Sequence, residues 1–186
     1  LYHWPACAVE TAGFEIRDMY IWQHEGQAKA ALQNHRVQKM NVPKKEKEAI
    51  IEALGGRKTP MLKPQSEPMV MAVKPCEGTY VNNWLKWGVG LADVTNSLDG
   101  KFPGTIMNVP KPQGTERVEN PHPTVKPVAL IEHIVRLFSS PGQVVLDPFM
   151  GSGSHGEAAI RCGRRFVGFE KDNEYFKHAR KRLEMI

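Results

Sequence analysis

The feature that most constrains this chain is a glycine-rich turn between an apolar strand and a helix. The strand is predicted at Val144–Asp147 and the helix from Ser154 to Cys162. The turn, Gly151–Gly156, matches the pattern G-x-G-x-x-G, in which glycines allow a tight bend and the close approach of a ligand. The next predicted strand, Arg165–Glu170, ends in an acid 19 residues after the first glycine. This order of elements predicts half of a parallel α/β fold that binds a nucleoside cofactor.

The side chains at the ends of these strands indicate which cofactor is bound. An acid that ends the second strand, here Glu170, can accept hydrogen bonds from both hydroxyls of a ribose. Asp147, which ends the first strand, would repel a pyrophosphate at the turn but attract an ammonium or a sulfonium. S-adenosylmethionine (SAM) carries both cations and no phosphate, so we favour it over NAD or FAD and over a turn with no ligand. Its carboxylate needs a cation or free N–H groups, which a lysine and the helix N-terminus can supply.

The remainder of the chain is less regular. Helices are predicted at residues 5–12, 44–54, 128–139 and 173–183, and strands at residues 15–22 and 68–73. Residues 76–121 are rich in glycine, proline and asparagine and show no clear period, which is typical of a loop-dominated recognition surface. Together these elements predict the α/β fold class.

The positive charge of the chain is concentrated in one block. The net charge is +5, and residues 24–63 hold nine basic and four acidic side chains. Such a block can neutralise the phosphates of a nucleic acid. It can equally form a solvated helix, because Lys44–Glu48 mixes both signs. Composition leaves both interpretations open.

Several other classes of protein fit the sequence poorly. No apolar run approaches the ~18–20 residues of a membrane span, and no secretory signal opens the chain. Cys7, Cys76 and Cys162 are odd in number and far apart, which argues against a disulfide framework or a zinc site. We therefore expect no membrane partner, no metal site and a cytoplasmic location.

Four segments resemble motifs of the amino-group DNA methyltransferases, which methylate adenine N6 or cytosine N4. Asp147–Ser154 (D-P-F-M-G-S-G-S) is similar to their cofactor motif D-P-F-x-G-S-G-T, and His122–Pro127 matches their H-P-T-x-K-P motif. Gly163–Glu170 resembles the strand that ends in the ribose-binding acid, and Arg180–Leu183 resembles the last helix. The order of the motifs is that of the β-class, and shorter segments within residues 26–75 resemble phage and prophage members. The resemblance implies a Rossmann-like, SAM-dependent methyltransferase fold with an inserted irregular target-recognition region.

The resemblance also implies roles for single residues. Lys126 and Thr124 would hold the methionine carboxylate, Asp147 would lie near the ammonium, and Glu170 would bind the ribose. The turn glycines would make room for the methionine chain. His155 replaces a small polar residue of the motif, and we interpret it as a solvent-facing residue because no partner is evident. The implied cofactor-binding set is Thr124, Lys126, Asp147, Pro148, Phe149, Gly151, Ser152, Gly153, Ser154, Glu170 and Lys171, with no catalytic residue and no metal ligand.

The tetrapeptide that holds the target amine in this family is absent from these residues. It consists of Asp, Asn or Ser, two prolines and an aromatic residue, and none of the 14 prolines here is adjacent to another. In the β-class it lies N-terminal to the motifs found here, so we interpret the chain as a C-terminal portion. The expected division is a partial methyltransferase core at residues 1–75 with a basic insertion at 24–66, a target-recognition region at 76–121 and a SAM-binding region at 122–186.

The implied function is site-specific methylation of adenine N6 in double-stranded DNA, as in restriction–modification systems. Alternatives are a cytosine-N4 methyltransferase, or a non-catalytic SAM-binding or DNA-binding remnant or subunit. Phosphate contacts would set the affinity and a few base contacts the specificity. The guesses for base contacts are Asn82, Asn83, Trp84, Lys86 and Trp87.

The missing part of the enzyme would be its own N-terminal part or a complementing chain. Without the strand that carries the tetrapeptide, and the strand beside it, the strands at 144–147 and 165–170 could not pair with those at 15–22 and 68–73. Unpaired central edges of a sheet are prone to aggregation. We therefore expect the isolated chain to bind cofactor weakly or not at all, and to transfer no methyl groups.

Overall fold

The structure is a computed structural model that describes residues 2–26, 29–96, 100–114 and 122–186. Among these residues the helices are α1 (His3–Thr11), α2 (Asn34–Gln38), α3 (Lys44–Leu54), α4 (Tyr80–Trp87), α5 (Val128–Phe138), α6 (Ser154–Arg161) and α7 (Asn173–Glu184). The strands are β1 (Glu15–Gln23), β2 (Ser66–Val73), β3 (Ile106–Asn108), β4 (Val144–Asp147) and β5 (Arg165–Gly168). The alternation of strands and helices agrees with the predicted α/β class.

The chain divides into two compact units. The first comprises Leu1–His24 and Glu67–Ile186, and it contains both sheets described below. The second is Glu25–Ser66, which carries the two helices α2 and α3. Helix α3 ends where Gly55 takes a left-handed conformation (φ +53°), as a glycine can without steric cost.

The strands of the first unit form two separate sheets among the described residues. In one sheet β1 lies between β2 and β3, and it pairs with β3 in parallel, with Ile21 opposite Ile106. In the other sheet β4 and β5 pair in parallel, with Asp147 opposite Gly168. No described strand joins the two sheets, which confirms that the strands of the glycine-turn segment do not pair with the N-terminal strands.

Helix α5 packs against elements of both sheets. Its side chains Leu130 and Ile131 are 1% and 4% exposed, so they have almost no contact with solvent. They belong to one hydrophobic cluster with Trp22 of β1 and Ala158 of α6, and Val145 of β4 packs against that cluster. The burial of apolar side chains around α5 therefore holds β1 and β4 in one core without a hydrogen-bonded strand between them.

The predicted irregular character of residues 76–121 is wrong in part, because α4 and β3 lie there. Helix α4 begins at Thr79, whose hydroxyl accepts a hydrogen bond from the Asn82 N–H, and it ends at Gly88 with φ +69°. Strand β3 has three residues and pairs with β1 about 85 positions earlier in the chain. Three residues are too short for a periodic pattern, so only the tertiary pairing reveals this strand.

The remaining elements lie close to their predicted positions. The bounds of α3 and β4 agree with those predicted, and α1, β1, β2, α5, α6 and α7 differ by one or two residues at one or both ends. Strand β5 ends at Gly168, so Glu170, which was predicted to end it, lies two residues beyond the strand. Helix α2 has five residues and was not predicted. No helix of the described residues is long and apolar enough to cross a membrane.

Gly156 allows α6 to lie close to β5 and α7. A Cβ at this position would lie 2.7 Å from Phe166 Cε1 and 2.8 Å from Leu183 Cδ2, well inside van der Waals contact. We therefore expect Gly156→Ala to lower the free energy of unfolding by about 1–3 kcal/mol, measured by urea denaturation. Gly104→Ala is the matched control, because nothing lies within 4 Å of its Cβ, and it should change stability by less than about 0.5 kcal/mol. Equal stability of the two variants would contradict this packing.

Candidate functional site

The carboxyl ends of β4 and β5 meet at the glycine turn. The Phe169 N–H donates to the Asp147 carbonyl oxygen at 2.9 Å, and the Met150 N–H donates to the Phe169 carbonyl oxygen at 2.8 Å. These bonds continue the parallel pairing beyond the last strand residues. The structure thus brings Asp147, the turn and the segment that leads to Glu170 to one end of the sheet, as their spacing predicted.

The Glu170 carboxylate bridges the glycine turn and the start of α7. Its Oε2 accepts a hydrogen bond from the Gly151 N–H at 2.9 Å, and its Oε1 accepts one from the Asp172 N–H at 2.8 Å. Each carboxylate oxygen has a further lone pair, so both oxygens can still accept a hydrogen bond from a ligand hydroxyl. The bond to Gly151 also gives the 19-residue spacing a structural reason, because it fixes the turn to the end of the second strand.

Asp147 has one oxygen bound by the backbone and one bound by a side chain. Its Oδ1 accepts the Phe149 N–H at 2.9 Å. Its Oδ2 lies 2.8 Å from Nδ1 of His155, an ion-pair distance, although this buried oxygen makes no hydrogen bond of normal geometry within the described residues. The interpretation of His155 as a residue without a partner is therefore wrong, since the turn folds the second residue of α6 back onto the end of β4.

The Asp147 carboxyl is held in its ionised form. Burial raises its pKa, but the contact of Oδ2 with the His155 imidazole and the hydrogen bond from the Phe149 N–H together lower the pKa below its ordinary value. Asp147 therefore provides a negative charge at the turn at neutral pH. A charge in this position attracts a cationic ligand group and repels a phosphate.

The turn glycines make room for protein side chains. A Cβ at Gly151 (φ +46°) would lie 2.8 Å from Nε2 of His122, and a Cβ at Gly153 (φ +78°) would lie 3.1 Å from the Cβ of Ala179. Space for the methionine chain stays a prediction for these glycines, and the structure gives a further reason for them. They are needed because the His122 ring and helix α7 pack against the turn.

The hydroxyls of Ser152 and Ser154 face the protein interior. The two oxygens lie 3.0 Å apart, and both residues are buried. Arg182 of α7 donates to the Ser152 carbonyl oxygen and to the Ser154 hydroxyl, each at 3.3 Å, and forms an ion pair with Glu157 of α6. These hydroxyls thus help to fix α7 to the turn, and a ligand contact by either serine would have to come from its backbone.

The segment that precedes α5 reaches the same site through His122. The His122 ring packs against Gly151 and lies edge-on to the Tyr175 ring, with 4.7 Å between the centroids. The neighbouring Thr124 N–H lies 3.3 Å from Nδ1 of His122, and Thr124 is exposed. The structure therefore brings the H-P-T-x-K-P segment to the glycine turn, although 24 or more residues separate them in the sequence.

Lys126 is bound by an acid that the sequence did not suggest. Its ammonium forms an ion pair with Oε2 of Glu67 at the start of β2 and lies 5.4 Å from the centroid of the Trp22 ring. Oε1 of Glu67 lies 3.7 Å from Nε2 of His24, and the buried His24 ring makes no hydrogen bond within the described residues. Because Glu67 lies 59 positions before Lys126, no local pattern could have predicted this pair.

Three further residues of the predicted set are solvent-exposed. Pro148 and Lys171 lie on the surface, and the Phe149 side chain is 88% exposed. A contact between Phe149 and the cofactor would therefore leave most of this side chain exposed within the described residues. All three remain predictions as cofactor contacts.

An apolar cavity of about 800 Å³ lies between β4 and the sheet of β1 and β2. It is lined by Tyr20, Met69, Val145 and His155, with further side chains of β2 and α5. The cavity adjoins the glycine turn through His155, which contacts Asp147. It is therefore large enough for a peptide segment and open to the site just described.

One guess for a base contact is wrong. Asn83 is buried, and its side chain accepts the Glu77 N–H at 3.3 Å and donates to the Val89 carbonyl oxygen at 2.9 Å, so it stabilises the ends of α4. Asn82 bonds to Thr79 at the beginning of the same helix. Trp84 and Trp87 are half-exposed and remain predictions, as does Lys86, which pairs with Glu77.

A family model described as DNA methylase, of the N6/N4 type, matches residues 2–181. The DNA adenine methyltransferase YhdJ of Escherichia coli K12 is 41% identical over 85 residues, which are 46% of this chain and 29% of that protein. The type II methyltransferase M2.DpnII of Streptococcus pneumoniae is 43% identical over 86 residues, which are 46% of this chain and 32% of that protein. The match thus spans about a third of the length of these curated relatives.

A solved structure supports the fold. The crystal structure of the M1.HpyAVI–SAM complex is 26% identical to this chain, with a TM-score of 0.62, and the similarity covers 97% of this chain and 68% of that chain. The prediction of a Rossmann-like fold of the DNA methyltransferase type is therefore confirmed.

The lowered pKa of Asp147 makes a prediction about acid stability. A carboxyl whose pKa is lower in the folded than in the unfolded state stabilises the fold above its unfolded value of ~3.9, and this contribution is lost as the pH falls. We therefore expect the free energy of unfolding of the wild type to fall more steeply below about pH 4.5 than that of Asp147→Asn, in urea titrations from pH 7 to pH 3. Glu10→Gln, which changes the charge equally at an exposed residue of α1, should retain the wild-type slope. Parallel profiles for wild type and Asp147→Asn would contradict this prediction.

Proposed function

Because this chain belongs to the N6/N4 DNA methylase family, we propose that it is the cofactor-binding portion of an enzyme that methylates adenine N6 in double-stranded DNA. S-adenosylmethionine is the methyl donor in this proposal. The supporting observation is a pair of acids at the ends of two parallel strands, on either side of a glycine turn. A cytosine-N4 target is the alternative within the same family.

The residues at the turn fit this cofactor. Oδ2 of Asp147 is a buried, ionised acceptor without a well-aligned hydrogen bond, and such an oxygen suits an ammonium group. Glu170 retains lone pairs for two ribose hydroxyls. A pyrophosphate would face the Asp147 charge, so a dinucleotide fits less well.

The methionine carboxylate would bind Lys126 in this proposal. The ion pair between Lys126 and Glu67 then has to open, or the ammonium has to bind both carboxylates at once, because a lysine provides three donors. Thr124 is exposed beside His122 and can add a hydroxyl donor. Asp147, Glu170 and Lys126 would bind and orient the cofactor, and none of them would take part in forming or breaking a covalent bond.

The cofactor supplies a methyl group on a sulfonium, which is transferred to the exocyclic amine of the target base while that amine loses a proton. Adenine is the preferred target, because one of the curated relatives that this chain matches is a DNA adenine methyltransferase. The target base has to leave the duplex to reach the cofactor. The residues that would hold its amine are not in this chain, in which no two prolines are adjacent.

The gap between the two sheets suits the strand that would carry the missing tetrapeptide. The cavity of about 800 Å³ is lined by Val145 of β4 and by Tyr20 and Met69 of the other sheet. The next residue of β4, Leu146, is 60% exposed, and β4 pairs only with β5 within the described residues. An inserted strand would cover this apolar surface and satisfy the open edge of the sheet. An N-terminal part of the same enzyme or a complementing chain would supply it.

The unit Glu25–Ser66 supplies cations for DNA phosphates. Some of its basic side chains are engaged locally: Arg57 bonds to the carbonyl oxygens that end α3, and Lys63 pairs with Glu25. The side chains of Lys39, Lys45 and Lys58 are exposed and form no hydrogen bond or ion pair within the described residues. These three are the candidates for phosphate contacts, which would be salt-dependent. An enzyme with this substrate would act in the cytoplasm.

The cofactor proposal predicts weak but measurable binding of S-adenosylhomocysteine (SAH), which shares the ammonium and ribose. Titration of the ¹⁵N-labelled chain should shift the amide signals of Asp147, of residues 149–153 and of Glu170. Asp147→Ala should weaken the binding at least about tenfold through the loss of a charged contact. Glu10→Gln should bind as the wild type does. Shifts caused by NAD and not by SAH would contradict the proposal.

The strand proposal predicts that the purified chain transfers no labelled methyl groups to DNA by itself. Joined to a segment that carries an Asp-Pro-Pro-aromatic or Asn-Pro-Pro-aromatic strand, taken from the sequence encoded immediately upstream or from a partner gene, it should methylate adenine. Replacement of the first residue of that tetrapeptide by Ala is the control and should abolish the activity. Robust methylation by the unaccompanied chain would contradict the proposal.

A further inference from the structure

The carboxylate that is proposed to bind the cofactor's ammonium is covered by a side chain of the same chain. Oδ1 of Asp147 is bound by the Phe149 N–H, and Oδ2 has almost no contact with solvent. The polar group at Oδ2 is Nδ1 of His155, at 2.8 Å. An ammonium therefore cannot reach Oδ2 unless the imidazole moves or shares the oxygen.

His155 has room to move. Its side chain is 40% exposed, and it also lines the cavity of about 800 Å³ beside β4. It is the second residue of α6, directly after the turn at Gly153. A rotation about its side-chain bonds can carry the ring from Asp147 into the cavity without a change in the backbone.

We propose that His155 is a specificity-determining residue that covers Oδ2 of Asp147 until the ammonium of the cofactor displaces it. This inference rests on the proposed cofactor. In this inference the imidazole of His155 competes with the ammonium of the cofactor for Oδ2 of Asp147. The strength of this competition depends on whether the imidazole carries a proton. The occupant of Oδ2 is thus either the imidazole of His155 or the ammonium of the ligand.

Protonation decides how strongly His155 competes. A hydrogen bond from a neutral imidazole to the ionised carboxylate is already charge-assisted. An imidazolium adds the attraction between two opposite full charges. The imidazolium also repels the incoming ammonium and sulfonium. Cofactor binding should therefore be weaker when His155 carries a proton than when it is neutral, while Asp147 remains ionised.

Other charged groups near α6 are engaged elsewhere. The partner of His155 within the described residues is Asp147 of β4. Arg17, Tyr20 and Tyr80 also line the cavity, and Arg17 pairs with Glu15. Helix α5 packs against α6 and carries the titratable groups Glu132, His133 and Arg136. The charged contacts on α6, α7 and β5 include Glu157 with Arg161 and Arg182, Arg165 with the Gly142 carbonyl oxygen, Lys177 with Glu174, and Arg180 with Glu184.

The test compares two ligands at pH 8 and pH 5.5 by NMR titration. SAH carries the ammonium, and 5′-methylthioadenosine shares its nucleoside but has no amino-acid end. For the wild type, the affinity for SAH should fall about five- to tenfold between pH 8 and pH 5.5, and the affinity for methylthioadenosine should change less than about twofold.

Two variants separate the charge of His155 from its hydrogen bond. His155→Asn keeps a donor but cannot be protonated, so its affinity for SAH should match the wild type at pH 8 and be independent of pH. His155→Ala uncovers Asp147, so it should bind SAH about two- to tenfold more tightly than the wild type at pH 8. The inference would be overturned if His155→Asn lost as much SAH affinity between pH 8 and pH 5.5 as the wild type does. It would also be overturned if the wild type lost as much affinity for methylthioadenosine as for SAH.

A measurement without ligand separates this inference from the proposed function. The contact requires a neutral His155 to carry its proton on Nδ1, whereas free histidine carries it mostly on Nε2. Long-range ¹H–¹⁵N spectra should show the Nδ1–H form in the wild type and the Nε2–H form in Asp147→Asn. The Nε2–H form in both proteins would overturn the inference even if SAH binds. An Nδ1–H form in the wild type together with no SAH binding at either pH would reject the proposed cofactor instead, and the displacement of His155 with it.

Discussion

The Glu170 carboxylate joins the parts of the structure on which the candidate site depends. It binds the Gly151 N–H on one side and the Asp172 N–H on the other, so one side chain fixes the end of β5, the glycine turn and the start of α7. A part-buried N–H without a partner is costly, and the turn provides such an N–H at Gly151. Glu170, which is proposed to bind the ribose, therefore also fixes the shape of the glycine turn.

The charged residues of the site are paired within the chain. Asp147 contacts His155, and Lys126 contacts Glu67. A partly buried charge needs an opposite charge or a hydrogen bond to remain ionised, and these partners supply it in the absence of a ligand. A ligand with an ammonium and a carboxylate would therefore exchange one pair of contacts for another. Its affinity would reflect the difference between the two sets and not the full strength of its own contacts.

The two sheets show how a hydrophobic core can hold elements together that share no hydrogen-bonded strand. Helix α5 places Leu130 and Ile131 in one cluster with Trp22 of β1 and Ala158 of α6. Hydrophobic burial has no preferred direction, so it tolerates the cavity of about 800 Å³ that remains beside β4. Backbone hydrogen bonding is directional and leaves that edge of β4 open, which is where the proposed strand of the rest of the enzyme would lie.

Elements with local signals could be predicted from the amino-acid sequence. The run Val144–Asp147, the glycine turn and the acid at Glu170 predicted a strand, a turn and a second strand, and the second strand is two residues shorter than predicted. The prediction is close because period, glycine and spacing act over short distances. Only the tertiary structure decided the contacts between distant residues. It paired Lys126 with Glu67, and it placed β3 beside β1. It turned His155 back onto Asp147, although eight residues separate them. Such contacts depend on how the chain returns on itself, and no local pattern of side chains specifies that path.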